Sequence, residues 1–110
     1  MKKKNRVRKS KEFQELIHTG KKKSNASFVL YRKNKAETEA RVGITLSKKI
    51  GHAVDRNKIK RQVRMMCREL IDFENFPSDI ILIIRFGYKS LSYEENKKNL
   101  EKLLAKSTMI

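Results

Sequence analysis

Residues 41–71 read RVGITLSKKIGHAVDRNKIKRQVRMMCRELI, and two different periodicities meet within them. From Arg41 to Ser47 the period is two: Val42, Ile44 and Leu46 point one way, and Arg41, Gly43, Thr45 and Ser47 the other. That is a strand with one face in a core. Its opposite face is small and polar, which leaves the sheet open to a ligand there. From residue 53 to 71 the period changes to that of a helix. Ile59, Val63, Met66, Cys67, Leu70 and Ile71 fall at i, i+4, i+7, i+8, i+11 and i+12, a single apolar stripe.

The elements on either side follow from this strand and helix. After a connection at Phe73–Ser78 with the only proline, Pro77, the run Asp79-Ile80-Ile81-Leu82-Ile83-Ile84-Arg85 is continuously apolar at its centre, as suits an interior strand covered on both faces. A last helix is predicted from Ser92, with Glu95 at the capping-box spacing and Tyr93, Leu100, Leu103 and Leu104 as its apolar positions. Upstream, Ser27–Lys33 reads as a strand centred on Phe28-Val29-Leu30-Tyr31, and Asn34–Glu39 as a polar loop. Lys21–Asn25 reads as a polar linker. Ser10 is placed to N-cap a short helix to about Thr19, with Phe13, Leu16 and Ile17 on one face and Gly20 to end it. Residues 1–11 form a basic arm expected to stay mobile until it meets a partner. The order α-β-β-α-β-α, with room for another short strand, predicts an α+β domain spanning 1–110 in which helices pack on one sheet.

Composition narrows the function. The 110 residues carry 28 Lys and Arg against 12 Asp and Glu, a net charge of +16. The excess is focused: residues 1–23 hold +8 and residues 48–68 hold +7. A focused cationic field attracts polyanions, of which nucleic acid is the commonest. No apolar run approaches a membrane span. The single cysteine, Cys67, excludes an internal disulfide framework or a multi-cysteine zinc site and fits a reducing cytoplasm.

On a helical wheel with Ile59 at zero, Lys60, Arg64, Asn57, Arg68 and Arg61 fall at about 100°, 140°, 160°, 180° and 200°. Beside the apolar stripe lies an almost purely cationic arc, with no acid at i−4 or i+4 to Lys60, Arg61 or Arg64. A solvated structural helix normally mixes signs, because like charges at that spacing repel by a few tenths of a kcal/mol. Leaving this repulsion uncompensated points to an absent polyanion, and arginine adds bidentate phosphate recognition.

Lys48-Lys49-Ile50-Gly51, Ala53-Val54 and Arg56-Asn57-Lys58-Ile59-Lys60-Arg61 with Arg64 together resemble the signature of the bacterial ribonuclease P protein family. Phe13-Gln14, Gly20, Phe28-Val29-Leu30-Tyr31, Arg41-Val42-Gly43 and Tyr93-Glu94-Glu95 extend the resemblance over nearly the whole chain. It implies a small mixed sheet packed with three helices, like the second domain of ribosomal protein S5, with a left-handed βαβ crossover against the usual right-handed preference. It also implies the protein subunit of an RNA enzyme that removes the 5′ leader from precursor tRNA. The resemblance further implies that the chemistry belongs to the catalytic RNA and its Mg²⁺ ions, so that no catalytic residue, no required cofactor and no obligate protein partner are expected of the protein itself. By similarity Lys48, Lys49, Arg56, Asn57, Lys58, Lys60, Arg61, Arg64 and Arg68 would face the catalytic RNA. A cleft between the first helix and the open sheet face, lined by Phe13, Ile17, Tyr31 and Thr45 with Lys60 and Arg64 at its edge, would hold the single-stranded leader. Lys58 stands where the family usually has arginine, and Ile17 where a second cleft aromatic is common.

Two rival readings are weaker. A stand-alone nuclease lacks its constellation: His18 and His52 have no base-plus-orienter grouping, His52 reads as a cap, and Asp72, Glu74 and Asp79 read as ordinary surface acids. A ribosomal or other architectural RNA binder shares the composition, but not the Arg56–Arg64 motif or the cleft residues.

Overall fold

A computed structural model describes residues 3–7 and 9–108. The elements, in chain order, are α1 (Ser10–Thr19), β1 (Lys21–Ser24), β2 (Phe28–Asn34), β3 (Val42–Leu46), α2 (Ala53–Leu70), β4 (Ser78–Ile84) and α3 (Tyr93–Thr108). The strands form one mixed sheet in the order β1-β2-β4-β3. The all-apolar β4 is interior, antiparallel to β2 and parallel to β3, as its unbroken run of isoleucine and leucine requires.

The two faces of the sheet are unequal. Phe28 and Leu30 of β2, Val42 of β3 and Ile80, Leu82 and Ile84 of β4 meet the stripe Ile59, Val63, Met66 and Cys67 of α2 and Leu100, Leu103 and Leu104 of α3. This is the main core, and the period-two and helical patterns each deliver their apolar set to it. The other face carries a smaller cluster of Val7, Leu16 and Ile81, with Phe13, Ile17, Tyr31 and Ile83 half-buried around it. There α1 lies across β2 and β4.

Three local expectations need correction. Ser10 is the first residue of α1; the cap is Lys9, and no side chain caps the end. Residues 21–24 form a strand, not a linker, pairing Lys21 with Arg32 through to Ser24 with Val29. Lysine-rich composition disfavours a strand in isolation, but β2 presents a free edge directly after Gly20. A Cβ on Gly20 would stand 2.4 Å from the Leu16 carbonyl oxygen and 2.9 Å from that of Arg32, so glycine is what lets the chain turn from helix to strand here. Third, Asp79 is buried: its carboxylate accepts from the Arg41 backbone N–H at 2.9 Å and from the Arg41 guanidinium at 3.2 Å. The same guanidinium reaches Glu12 at 2.6 Å, tying α1 to the start of β3.

Part of the basic arm is packed. Arg6 bridges to Val42 in parallel register, and the Val7 N–H donates to the Val42 carbonyl at 3.1 Å. Asn5 is buried, with its amide donating to Glu39 and to the Ala40 carbonyl. Residues 1, 2 and 8 of the arm lie outside the described residues.

Helix α3 is held by polar groups. Ser92 and Glu95 form the expected capping box, each backbone N–H donating to the other's side chain at 3.1 Å. The Ser27 hydroxyl donates to Asn96 Oδ1 at 2.7 Å and accepts from Asn99 Nδ2 at 2.9 Å. Asn25 Oδ1 accepts from the backbone of Ser27 and Phe28. These buried groups find partners within the fold, as they must, and they fix α3 against the β1–β2 turn.

Candidate nucleic-acid interface

Burying the α2 stripe decides where its cations go. With Ile59, Val63, Met66 and Cys67 turned inward, Asn57, Lys58, Arg61 and Arg68 are exposed, while Arg56, Lys60 and Arg64 are half-buried on the flanks. Lys48 and Lys49 are exposed in the short 3-10 turn between β3 and α2. Among the described residues no salt bridge joins any of these cations to an acid. The nearby acids are otherwise engaged: Asp55 accepts from the His52 N–H at 3.3 Å at the helix start, and Glu69 pairs with Lys97 of α3. The cationic face is therefore open, and Arg56 Nε is buried with no hydrogen-bond acceptor. His52 occupies the N-cap of α2. Cys67 is fully buried, and burial pushes its thiol up to about 12, the behaviour of a core residue.

The second candidate surface lies on the opposite side of the sheet. Register places Tyr31 beside Ile81, Ile81 beside Gly43, and Ile83 between Val29 and Thr45. Phe13 lies over Gly43: a Cβ there would stand 2.6 Å from Phe13 Cζ. The absence of a side chain at 43 is what lets the α1 aromatic come down onto the sheet. Phe13, Ile17, Val29, Tyr31, Thr45 and Ile83 are all half-buried, so an apolar floor and an aromatic wall remain partly accessible beside α1. Four of the sequence-predicted cleft residues, Phe13, Ile17, Tyr31 and Thr45, thus share one face.

Lys60 and Arg64 are not on that face. They belong to α2, which packs on the core side, against β3 among other elements. Strand alternation already puts Val29 on the Tyr31 face, but sequence reasoning missed two other cleft-face residues. Ile83 sits in a continuous apolar run where nothing distinguishes one sheet face from the other. Lys22, paired with Tyr31 and with its ammonium 6.0 Å from the ring centroid, became visible only once β1 was a strand.

A separate cavity of about 900 Å³ lies between the N-terminal segment and the β2–β3 loop. Its charges are largely satisfied internally, by Lys4 with Glu39 at 2.6 Å and by Arg41 with Glu12. Among the described residues no three His, Cys, Asp or Glu side chains gather as a metal ligand set, and no helix is long and apolar enough to cross a membrane.

Comparison with known proteins agrees with this geometry. The family model for ribonuclease P matches residues 1–108. The chain is 43% identical to a ribonuclease P protein component of Bacillus cereus over 110 residues, covering 99% of this chain and 96% of that protein. Among solved structures, a Staphylococcus aureus RNase P protein mutant with defective mRNA degradation activity superposes with a TM-score of 0.86 at 34% identity, covering 96% of this chain and 90% of that one. The RNase P protein from Thermotoga maritima gives 0.77 at 28% identity, over 90% and 94% of the two chains. A helix whose cations have no acidic partner among the described residues, a half-buried aromatic face on the other side of the sheet and these likenesses lead to one conclusion: the chain belongs to the ribonuclease P protein family, the protein components of an RNA-based endoribonuclease that matures the 5′ ends of tRNA.

Proposed function

We propose that this protein binds its catalytic RNA through α2 and the turn before it, and holds the single-stranded 5′ leader of precursor tRNA in the cleft beside α1. The observation that carries the proposal is the α2 face. Lys48, Lys49, Arg56, Asn57, Lys58, Lys60, Arg61, Arg64 and Arg68 are all exposed or half-buried, and the cations among them have no acidic partner among the described residues. RNA phosphates supply the missing counter-charge, and binding releases the counterions they held. Arg56 Nε, buried without an acceptor, is a donor that a phosphate or ribose oxygen would satisfy.

In the cleft, Tyr31 and Phe13 offer ring faces on which unpaired bases can stack whatever their sequence. Ile17, Thr45, Val29 and Ile83 complete its walls. Lys60 and Arg64 would take backbone phosphates where the leader passes the β3 edge toward the catalytic RNA. In this reading the Mg²⁺ of the assembled enzyme belongs to the RNA. No step of the reaction is assigned to a side chain of this protein, whose contribution is binding and positioning. The reading also places the protein in the cytoplasm.

The test compares precursor and mature tRNA binding to the assembled protein–RNA enzyme. Tighter binding of the precursor, lost when the leader is removed, is the expected result. Equal affinity for the two would refute the leader role and favour an architectural RNA-binding protein.

A further inference from the structure

We infer that Lys22 extends the leader track beyond the cleft, taking the backbone phosphate of a nucleotide lying farther from the cleavage site than the one stacked on Tyr31. This rests on the leader-cleft reading and adds a contact to it. In the register of β1 with β2, Lys22 stands directly opposite Tyr31, while its neighbours Lys21 and Lys23 stand opposite Arg32 and Leu30. Because facing residues in an antiparallel pair share a face, Lys22 alone of the three lysines is on the side of the cleft. Its ammonium lies 6.0 Å from the Tyr31 ring centroid, at the outer limit of cation–π attraction, and no salt bridge engages it among the described residues. A base stacking on Tyr31 takes the space over the ring and leaves the ammonium beside the backbone that carries that base.

The layout of charge across the face gives the track a direction. The floor of Thr45, Ile83, Val29 and Tyr31 runs from edge strand β3 to β2, next to edge strand β1. Lys48 and Lys49 follow the end of β3, and α2 packs against β3; the catalytic RNA is proposed to sit there. Lys22 lies at the β1 side, so leader nucleotides reach it after Tyr31. Lysines on an edge strand also discourage strand-to-strand association. That role would be shared by Lys21, Lys22 and Lys23, all exposed, and would not depend on which face each one points to.

The experiment measures affinity of the assembled protein–RNA enzyme for precursor tRNAs with leaders of increasing length, using the native protein, Lys22→Gln and Lys21→Gln, at several salt concentrations. One single-strand phosphate contact changes the log–log salt slope by about 0.7, which corresponds to about a fourfold loss near 0.15 M salt. Lys22→Gln should show that loss and that flatter slope only with leaders long enough to pass Tyr31, and match the native protein on short leaders and on mature tRNA. Lys21→Gln should match the native protein throughout. If Lys22→Gln equals the native protein at every leader length while the native affinity still rises with length, the Lys22 contact is wrong and the cleft reading stands. Equal losses for both variants, mature tRNA included, would reduce Lys22 to general surface charge. A native affinity independent of leader length would overturn the cleft reading itself, and Lys22 with it.

Discussion

Gly43→Ala tests how the cleft is built. The added methyl would stand 2.5 Å from Ile81 Cδ1 and 2.6 Å from Phe13 Cζ, where carbon contacts are comfortable at about 3.5–4.0 Å. Ile81 is fully buried beneath α1, so relief requires the Phe13 ring, and α1 with it, to lift by about 1 Å. Forcing a methyl into a filled space costs about 1–3 kcal/mol. Gly43 has no positive φ, so alanine is conformationally acceptable there and recovers about 0.4–1 kcal/mol by restricting the unfolded chain. The net expectation is a destabilisation on the order of 1–2 kcal/mol, seen as a fall in Tm of roughly 4–10 °C for a chain of this size. Urea melts of the four corners of a Gly43→Ala, Phe13→Ala cycle isolate the contact. With the ring gone, the methyl should cost at least about 0.5 kcal/mol less than with it present. The same cost in both backgrounds, or a stabilising Gly43→Ala, would refute the placement of Phe13 over Gly43 and the cleft wall drawn from it.

Three further outcomes follow from the site and the fold. Arg61→Ala and Arg64→Ala should each flatten the log–log salt dependence of catalytic-RNA binding by about one unit; an unchanged slope would place those side chains off the RNA. Tyr31→Ala should lose on the order of 1–3 kcal/mol of leader-dependent affinity while leaving mature tRNA binding intact, and unchanged leader discrimination in a folded variant would return Tyr31 to simple packing. The Ser92 backbone N–H, and next its hydroxyl, hold the Glu95 carboxyl below its ordinary 4.5. Its contribution to α3 is therefore fully present above that value and lost as pH falls through the lowered one, so the acid side of a stability–pH profile should flatten in Glu95→Gln; a profile identical to the native one would contradict the capping box.

Most of the architecture was legible because each pattern had one physical reading. The Val42–Leu46 alternation, the Ile59–Cys67 stripe and the Ser92–Glu95 spacing each specify an element and its buried face, and the structure places all three as they specify. What was not legible depends on contacts distant in sequence. Lys21–Ser24 becomes a strand only because β2 offers an edge. Asp79 looks like a surface acid until Arg41, just before β3, closes on it. Val7 and Asn5 have no periodicity of their own, and only the surface between Val42 and Ala40 explains their burial. The exposed cationic arc of α2 followed from the helical wheel, and the shared face of Val29 and Tyr31 from strand alternation, whereas the positions of Ile83 and Lys22 needed the strand register. The cleft's dependence on Gly43 needed the position of α1, which no local pattern contains.

The most direct test of the central claim is cleavage of a precursor tRNA at low Mg²⁺ by the cognate catalytic RNA, by this protein, and by the two together. Cleavage restored only in the mixture, at the 5′ end of the mature tRNA, is the predicted result, with protein charge assisting an RNA catalyst. Cleavage by the protein alone, or no stimulation of an RNA that it demonstrably binds, would contradict the account.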